Sequence, residues 1–270
     1  MKTAELIRNR RSVRTFDGQP VSASDAEAVL NFANTVETPY GIPVTWRILD
    51  AKEHGLSSPV IAGTDTYFAG KLQRCPHAEE AFGFAMEKIV LFAADRGLGT
   101  TWIAGTMDRA AFERAMQLEP GEVMPCITPL GYPAGKMSVR ETLMRKGVKA
   151  DSRLPFEELF FNGGFDTPLS RVAAGDLADV LELVRLSPSA VNRQPWRVVV
   201  AGDTVHFYEK RSKGFLGKDG WDLQKIDLGI ALCHFALEME EQQRSVEFVI
   251  EDPGIPSADG LIYIASCHVA

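Results

Sequence analysis

Cysteine is scarce in this chain: Cys75, Cys126, Cys233 and Cys267 are the only four in 270 residues. Four thiols spread over that length make no disulfide framework, so reduced, mostly buried thiols in a cytoplasmic protein are expected. Histidine is nearly as scarce. Cys75 precedes His77, Cys233 precedes His234 and Cys267 precedes His268, but none of these pairs has CxxC or zinc-site spacing. No metal site is expected. Long apolar runs are missing as well. The charge-free stretch at 123–135 is broken by Pro and Gly and falls short of the roughly 20 residues that a membrane helix needs. Lys2, Glu5 and Arg8 leave no apolar core for a signal peptide. HExxH, GxSxG, Walker A and GxGxxG patterns are all absent, which removes the usual signals of proteases, serine hydrolases and dinucleotide-fold enzymes. Positive charge is in deficit, 29 Lys and Arg against 36 Asp and Glu, for a net charge of −7. That balance argues against non-specific binding to nucleic acid or an anionic membrane. Basic residues that do cluster therefore stand out.

What is present describes a globular protein. Hydrophobic residues make up 45% and charged residues 24%, and a chain this long can bury a large core. Its length suits one or two domains. Helices and short strands alternate. Residues 26–34 read as a helix capped by Ser24 or Asp25, and 45–49 as a strand. Residues 78–95 read as a long helix with apolar side chains on more than one face, hence buried, and stopped by Gly97 and Gly99. A short strand is expected at 126–130. After NGGFDTP at 162–168, a junction-like stretch, the pattern restarts. A helix is expected at 177–185, a strand at 197–200, a turn at Gly202-Asp203 into a strand at 205–208, and an amphipathic helix at 227–242. Strands near 246–250 and 261–265 follow.

The second series echoes the first. AEAVL at 26–30 falls on LADVL at 177–181, TWRIL at 45–49 falls on PWRVV at 195–199, and Gly83 with its helix falls on Gly229 with its own. Each identity is weak alone, and any α+β chain shows some such rhymes. The order helix, loop, Trp-Arg strand, long helix nevertheless occurs twice, which reads as an old internal duplication.

Three segments carry the candidate chemistry. RRSVR at 10–14 places guanidinium forks and a hydroxyl in an otherwise acidic chain. Such groups suit a phosphate, although a solvated basic run has the same composition. SPSAVNRQPW at 187–196 is a stiff loop of small hydroxyls, an amide and two prolines between a helix and a strand. It could present Ser and Asn to a planar polar ligand, or simply end a helix. GLGTTWIAG at 97–105 lets backbone N–H groups approach a ligand closely, or forms a buried connection.

Taken together, RRSVR, SPSAVNRQPW and GLGTTWIAG resemble the motifs of the FMN-dependent nitroreductase family. LGYPA at 130–134 resembles a further strand end of that family, and SRLPFEE at 152–158 its C-terminal arm. The resemblance runs through residues 6 to 160 and restarts over 176–250, as in a duplicated, single-chain branch of the family. It implies an α+β fold with two pseudo-symmetric α/β halves, 1–162 and 163–270, forming an intramolecular pseudo-dimer. The first half keeps the arginines but has ETPYGIP at 37–43 in place of the SPSxxN loop. The second keeps SPSAVN but has NGGF at 162–165 in place of the arginines. The losses are complementary, so one site for FMN is expected in a monomeric chain.

The resemblance also implies roles. Arg10, Ser12 and Arg153 would hold the ribityl phosphate, with Arg11 in support. Arg14 would lie near the N1/O2 edge of the ring, where positive charge stabilises reduced flavin. Pro188, Ser189, Ala190 and Asn192 would line the ring, and the N–H of Ala104 or Gly105 would face N5. Two positions depart from the family pattern: Ala190 replaces a second hydroxyl, and Asp151 stands where a basic residue is common, with Lys149 nearby. No side chain is assigned a catalytic role, because hydride transfer from NAD(P)H to flavin and on to a small-molecule acceptor is the cofactor's chemistry. The same fold also suits dehalogenation, flavin fragmentation or a non-catalytic flavin sensor.

Overall fold

The computed structural model describes residues 1–217, 220–257 and 260–270. The chain forms two compact units, one of Met1 with Asn9–Val148 and the other of Lys2–Arg8 with Lys149–Ala270. Residues 149–162, expected from the sequence to close the first half, thus belong to the second unit. The reason is a strand at Phe160–Asn162 that joins the second unit's sheet in parallel with Trp196–Ala201.

In chain order the helices are α1 (Thr3–Asn9), α2 (Ala23–Ala33), α3 (Ala51–His54), α4 (Ala78–Asp95), α5 (Arg109–Met116), α6 (Val139–Gly147), α7 (Phe156–Leu159), α8 (Ala178–Arg185) and α9 (Leu223–Glu241). The strands are β1 (Thr45–Asp50), β2 (Thr66–Gln73), β3 (Glu122–Val123), β4 (Ile127–Leu130), β5 (Phe160–Asn162), β6 (Trp196–Ala201), β7 (Thr204–Glu209), β8 (Val246–Val249) and β9 (Ile262–Val269).

In the first unit β2 is central. It pairs antiparallel with β1 over Thr66–Lys71, with β4 over Thr66–Ala69, and with β3 at Leu72 and Gln73. Side chains alternate across a strand, and β2 is buried on both faces. Tyr67 and Ala69 pack with Phe112 and Met116 of α5. Phe68 faces Trp46, whose ring centroid is 5.3 Å away, and Trp46 in turn meets Phe82 of α4 at 5.5 Å. The Trp46 indole occupies the space that a side chain at Gly70 would need. The sequence pattern did not reveal β2, because Gly70 and Lys71 interrupt its apolar run. Buried Lys71 is neutralised by Glu122 at 2.6 Å.

The ends of α2 and α4 are chemically specified. α2 begins at Ala23 rather than Ala26: Ser22 is the cap, and its Oγ accepts from the Asp25 N–H at 3.0 Å. The cap is thus neither Ser24 nor Asp25; Asp25 instead returns the contact, accepting from the Ser22 hydroxyl at 2.8 Å. α4 ends in a Schellman turn. Gly97 has φ 77°, its N–H bonds Ala94 O, and the Leu98 N–H bonds Ala93 O.

The second unit carries the sheet order β5-β6-β7-β9-β8, antiparallel apart from β5 with β6. Gly202, at φ 63°, turns β6 into β7. Phe207 of β7 meets Phe235 of α9 at 5.6 Å. α9 begins four residues ahead of its expected start and is not amphipathic along its middle. Every residue from Ile226 to Phe235 is buried, including Asp227 and His234. β9 runs on to Val269, with Thr204 opposite His268.

Each unit therefore shows the order helix, strand, antiparallel partner strand, long helix, then a strand pairing with that partner: α2-β1-β2-α4-β4 and α8-β6-β7-α9-β9. In each, the first helix packs on the long one.

Candidate functional site

In the first unit the backbone joins two of the three motifs. Ser12 bridges Thr100 in parallel fashion, and the Val13 N–H donates to Thr100 O at 2.8 Å. The glycines here serve this contact. A Cβ on Gly99 would lie 2.9 Å from the Val13 side chain, and one on Gly131 would lie 2.7 Å from Phe16. So RRSVRTF, GLGT and LGYP pack edge to edge, and only glycine permits it.

The arginines of this motif lean on carboxylates that the sequence reading did not single out. Arg10 is folded inward, its side chain 6% exposed, with Nε 3.7 Å from Oε1 of fully buried Glu87 on α4. The Trp102 indole N–H donates to the other Glu87 oxygen at 3.1 Å. Glu87 thereby ties Arg10 to the GLGTTW segment. Its signal in the sequence was an acid in the middle of an apolar helix, which needs a cation or donor nearby. Arg10 Nε and Nη1 are buried with no hydrogen-bond partner among the described residues. Arg11 is 3.4 Å from Oε1 of Glu141, itself buried in the first turn of α6. Burial lowers the pKa of Arg14; Glu141 offsets this and Arg145 adds to it. Ala104 is held by Arg109, whose Nη2 donates to Ala104 O at 2.8 Å while Nη1 donates to Met124 O at 2.7 Å. Gly105 beside it is exposed. Tyr132 of LGYPA donates to Asp25 at 2.7 Å, a structural role, and this bond is the main reason the Asp25 carboxyl sits below its ordinary pKa.

In the second unit the SPSAVN loop meets the arm at 149–154. Arg153 Nη1 donates to Ala150 O at 2.9 Å and to Ser152 O at 2.8 Å, and lies 3.4 Å from Asn192 Oδ1; Nη2 donates to Leu186 O at 3.1 Å. The Asn192 amide donates to Lys149 O and Ser152 O at 2.8 and 3.1 Å. Gln194 Oε1 accepts from the Leu154 N–H at 2.8 Å, and Ser189 Oγ accepts from the Gln194 N–H at 2.9 Å. Thus Arg153 and Asn192, assigned by resemblance to phosphate and ring, contact one another and the arm's carbonyls. Pro188 and Ala190 are half-buried on the same loop.

Beneath the loop lies a buried acidic group that sequence reasoning missed. Asp227 accepts from the Ala190 N–H with both oxygens, at 3.0 and 3.1 Å. Burial raises the pKa of Asp227 well above its ordinary value; the Ala190 bond lowers it, and Asp222 and Glu209 raise it further. Glu209 is pushed up to about 7 by burial and by Asp222, against the pull of Arg211. Arg211 bridges Glu209 at 3.1 Å and Asp222 at 2.6 Å.

Among the described residues no group of His, Cys, Asp and Glu could hold a metal ion. None of their helices is long and apolar enough to cross a membrane. Cys126, Cys233 and Cys267 are buried and Cys75 is exposed.

The fold, two α/β units each built on a central antiparallel hairpin and a long buried helix, is of the nitroreductase type. A protein from Thermotoga maritima described as a "putative nitroreductase" has this fold, with a TM-score of 0.62 at 24% identity, over 100% of this chain and 93% of that one. More specifically, the chain belongs to the family described as "Putative TM nitroreductase", whose model matches residues 2–239. An FMN-dependent nitroreductase from Clostridium difficile R20291 aligns at 17% identity over 52% of this chain and 94% of its own, with a TM-score of 0.42. An iodotyrosine deiodinase bound to FMN and 3-iodo-L-tyrosine aligns at 16% identity over 50% and 92%, with a TM-score of 0.41. No curated protein matches the chain.

Proposed function

We propose that this protein is an FMN-dependent oxidoreductase that takes hydride from NAD(P)H and passes electrons to a nitroaromatic, a quinone or a similar small acceptor. Family membership supports the class. The observation that carries the cofactor assignment is Arg10: a buried guanidinium whose Nε and Nη1 have no hydrogen-bond partner among the described residues. Leaving donors of a charged group unsatisfied away from water is costly, and a phosphate supplies the matching acceptors.

In this reading Arg10, Ser12 and Arg153 hold the phosphate and Arg11 supports them. Arg14 contributes positive charge at the N1/O2 edge. Pro188, Ser189, Ala190 and Asn192 line the ring, and the N–H of Ala104 or Gly105 faces N5. FMN, when bound, supplies the hydride acceptance and donation; the chain supplies placement and field. Glu87 stands 3.7 Å from Arg10 and Glu141 3.4 Å from Arg11, which supports a paired carboxylate holding each guanidinium. The proposal includes one FMN per chain, a monomeric protein and a cytoplasmic location.

The test is anaerobic titration of the FMN-loaded protein with NADH and with NADPH, followed by a quinone or nitroaromatic. Bleaching of the bound flavin by one nicotinamide and rapid return of colour on adding the acceptor are expected. Flavin that is bound but stays oxidised with both nicotinamides would overturn the oxidoreductase assignment in favour of a sensor.

A further inference from the structure

We propose that α9 clamps the 187–196 loop at two points and that Asp227 is its main positioning residue, fixing the loop in the shape that receives the flavin ring. The ring-binding part rests on the function proposed above.

At one point the Ala190 N–H donates to the Asp227 carboxylate, and at the other Ser187 Oγ lies 3.0 Å from His234 Nδ1. His234 Nδ1 is also 3.0 Å from Leu183 O in the helix that leads into the loop. Asp227 and His234 are two turns apart on α9, which puts them on one face, and they are 4% and 0% exposed.

The segment they hold needs holding. Val191, Asn192 and Gln194 have φ of 51°, 55° and 52°. The left-handed region is unfavourable for L residues and most of all for a β-branched one. Such conformations persist only where the surroundings over-determine them, and they concentrate at functional sites. Burying an acid to satisfy one backbone amide is a poor bargain for stability alone, because a group such as Ser or Asn caps an amide without the desolvation of a carboxyl.

The other half provides an internal control. Asp227 lies two residues before Gly229 and His234 five after; at the matching distances from Gly83 in α4 stand Ala81 and Lys88. Neither can offer a carboxylate or an imidazole to the loop ETPYGIP, which has lost the SPSxxN pattern. That loop is closed by its own Thr38, whose Oγ1 accepts from the Ile42 N–H at 3.3 Å, and its Tyr40 stacks on His77 at the start of α4. The Asp and His of the clamp stand in the half that keeps the motif.

The test uses the full-length chain as wild type, Asp227→Ala and Asp227→Asn, with three readouts: amide hydrogen exchange at 188–194 without flavin, the FMN dissociation constant, and the absorption spectrum of bound FMN. Asp227→Ala is expected to speed exchange at Ala190 about tenfold, weaken FMN binding about tenfold and shift the flavin spectrum. Asp227→Asn keeps the volume and one acceptor oxygen, and should recover both constants to within about threefold. Should the alanine variant not fold, the asparagine variant alone still predicts a smaller loosening at Ala190. Wild-type exchange at Ala190 in the variants would overturn the clamp. A loosened loop with unchanged FMN affinity and spectrum would overturn the positioning role. Failure of the wild type to bind FMN would instead sink the proposed function and the positioning role with it, while the exchange data still decide the clamp.

Discussion

Replacing Arg10 with alanine is expected to weaken FMN binding by about 10- to 100-fold, the loss of a charge-assisted hydrogen bond to phosphate. The same change removes a cation from beside the fully buried Glu87. It should therefore also destabilise the protein, by something on the order of 3 kcal/mol. The two effects separate in the double variant Arg10→Ala/Glu87→Gln. Neutralising the carboxylate removes the buried charge and leaves an acceptor for Trp102, so stability should largely return while FMN affinity stays low. Ser12→Ala, which disturbs no buried ion, should weaken FMN with little change in melting temperature. If the double variant regained FMN binding along with stability, Arg10 would be a structural residue and the phosphate assignment would fail.

The second large effect concerns pH. Burial and Asp222 hold Glu209 up at about 7, against an ordinary value of 4.5. Between those values the folded chain binds a proton that the unfolded chain releases. Stability from this group is therefore present at low pH and is lost as pH rises through that window, by on the order of 3 kcal/mol in all. Glu209→Gln cannot lose that proton. Its melting temperature, compared with wild type, should gain several degrees between pH 5 and pH 8. Parallel pH profiles for the two proteins would show that Arg211 compensates Glu209 fully and that no proton is held.

The sequence revealed the fold's periodic elements well and its packing exceptions poorly. α4 was readable to the residue, because its apolar side chains fall on more than one face and the stretch ends in a glycine that adopts positive φ. The central strand β2 was not, since Gly70 exists to admit the Trp46 ring and Lys71 is buried through an ion pair, and neither fits an alternating pattern. α9 read as amphipathic over 227–242, whereas the polar residues Asp227 and His234 within that range are buried. The same blind spot affects the candidate site. The motifs RRSVR, SPSAVN and GLGTTW were legible as segments. Their supporting residues Glu87, Glu141, Arg109 and Asp227 were not, because they lie far along the chain or on helix faces that only packing defines. The arm at 149–162 was assigned to the first half by sequence order, but β5 hydrogen-bonds into the second unit's sheet, a long-range pairing that local pattern does not encode.

The central claim is that one chain binds one flavin. The groups at the alternative positions are engaged elsewhere. Tyr40 of the altered first loop stacks on His77 at 5.3 Å. Phe165, at the position of the lost arginines, packs edge-on against Phe161 and Tyr208 at 5.4 and 5.0 Å. Arg171, a cation a few residues beyond, is bridged to Glu182 and Asp179 at 2.8 and 3.2 Å. A flavin phosphate needs paired donors to leave water, and the segment at 162–165 carries no cation. The most direct measurement is the amount of flavin released per chain after saturation with FMN and removal of the excess. One FMN per chain is predicted; a ratio of two would contradict the single-site claim, and a ratio of zero would contradict the flavoprotein assignment itself.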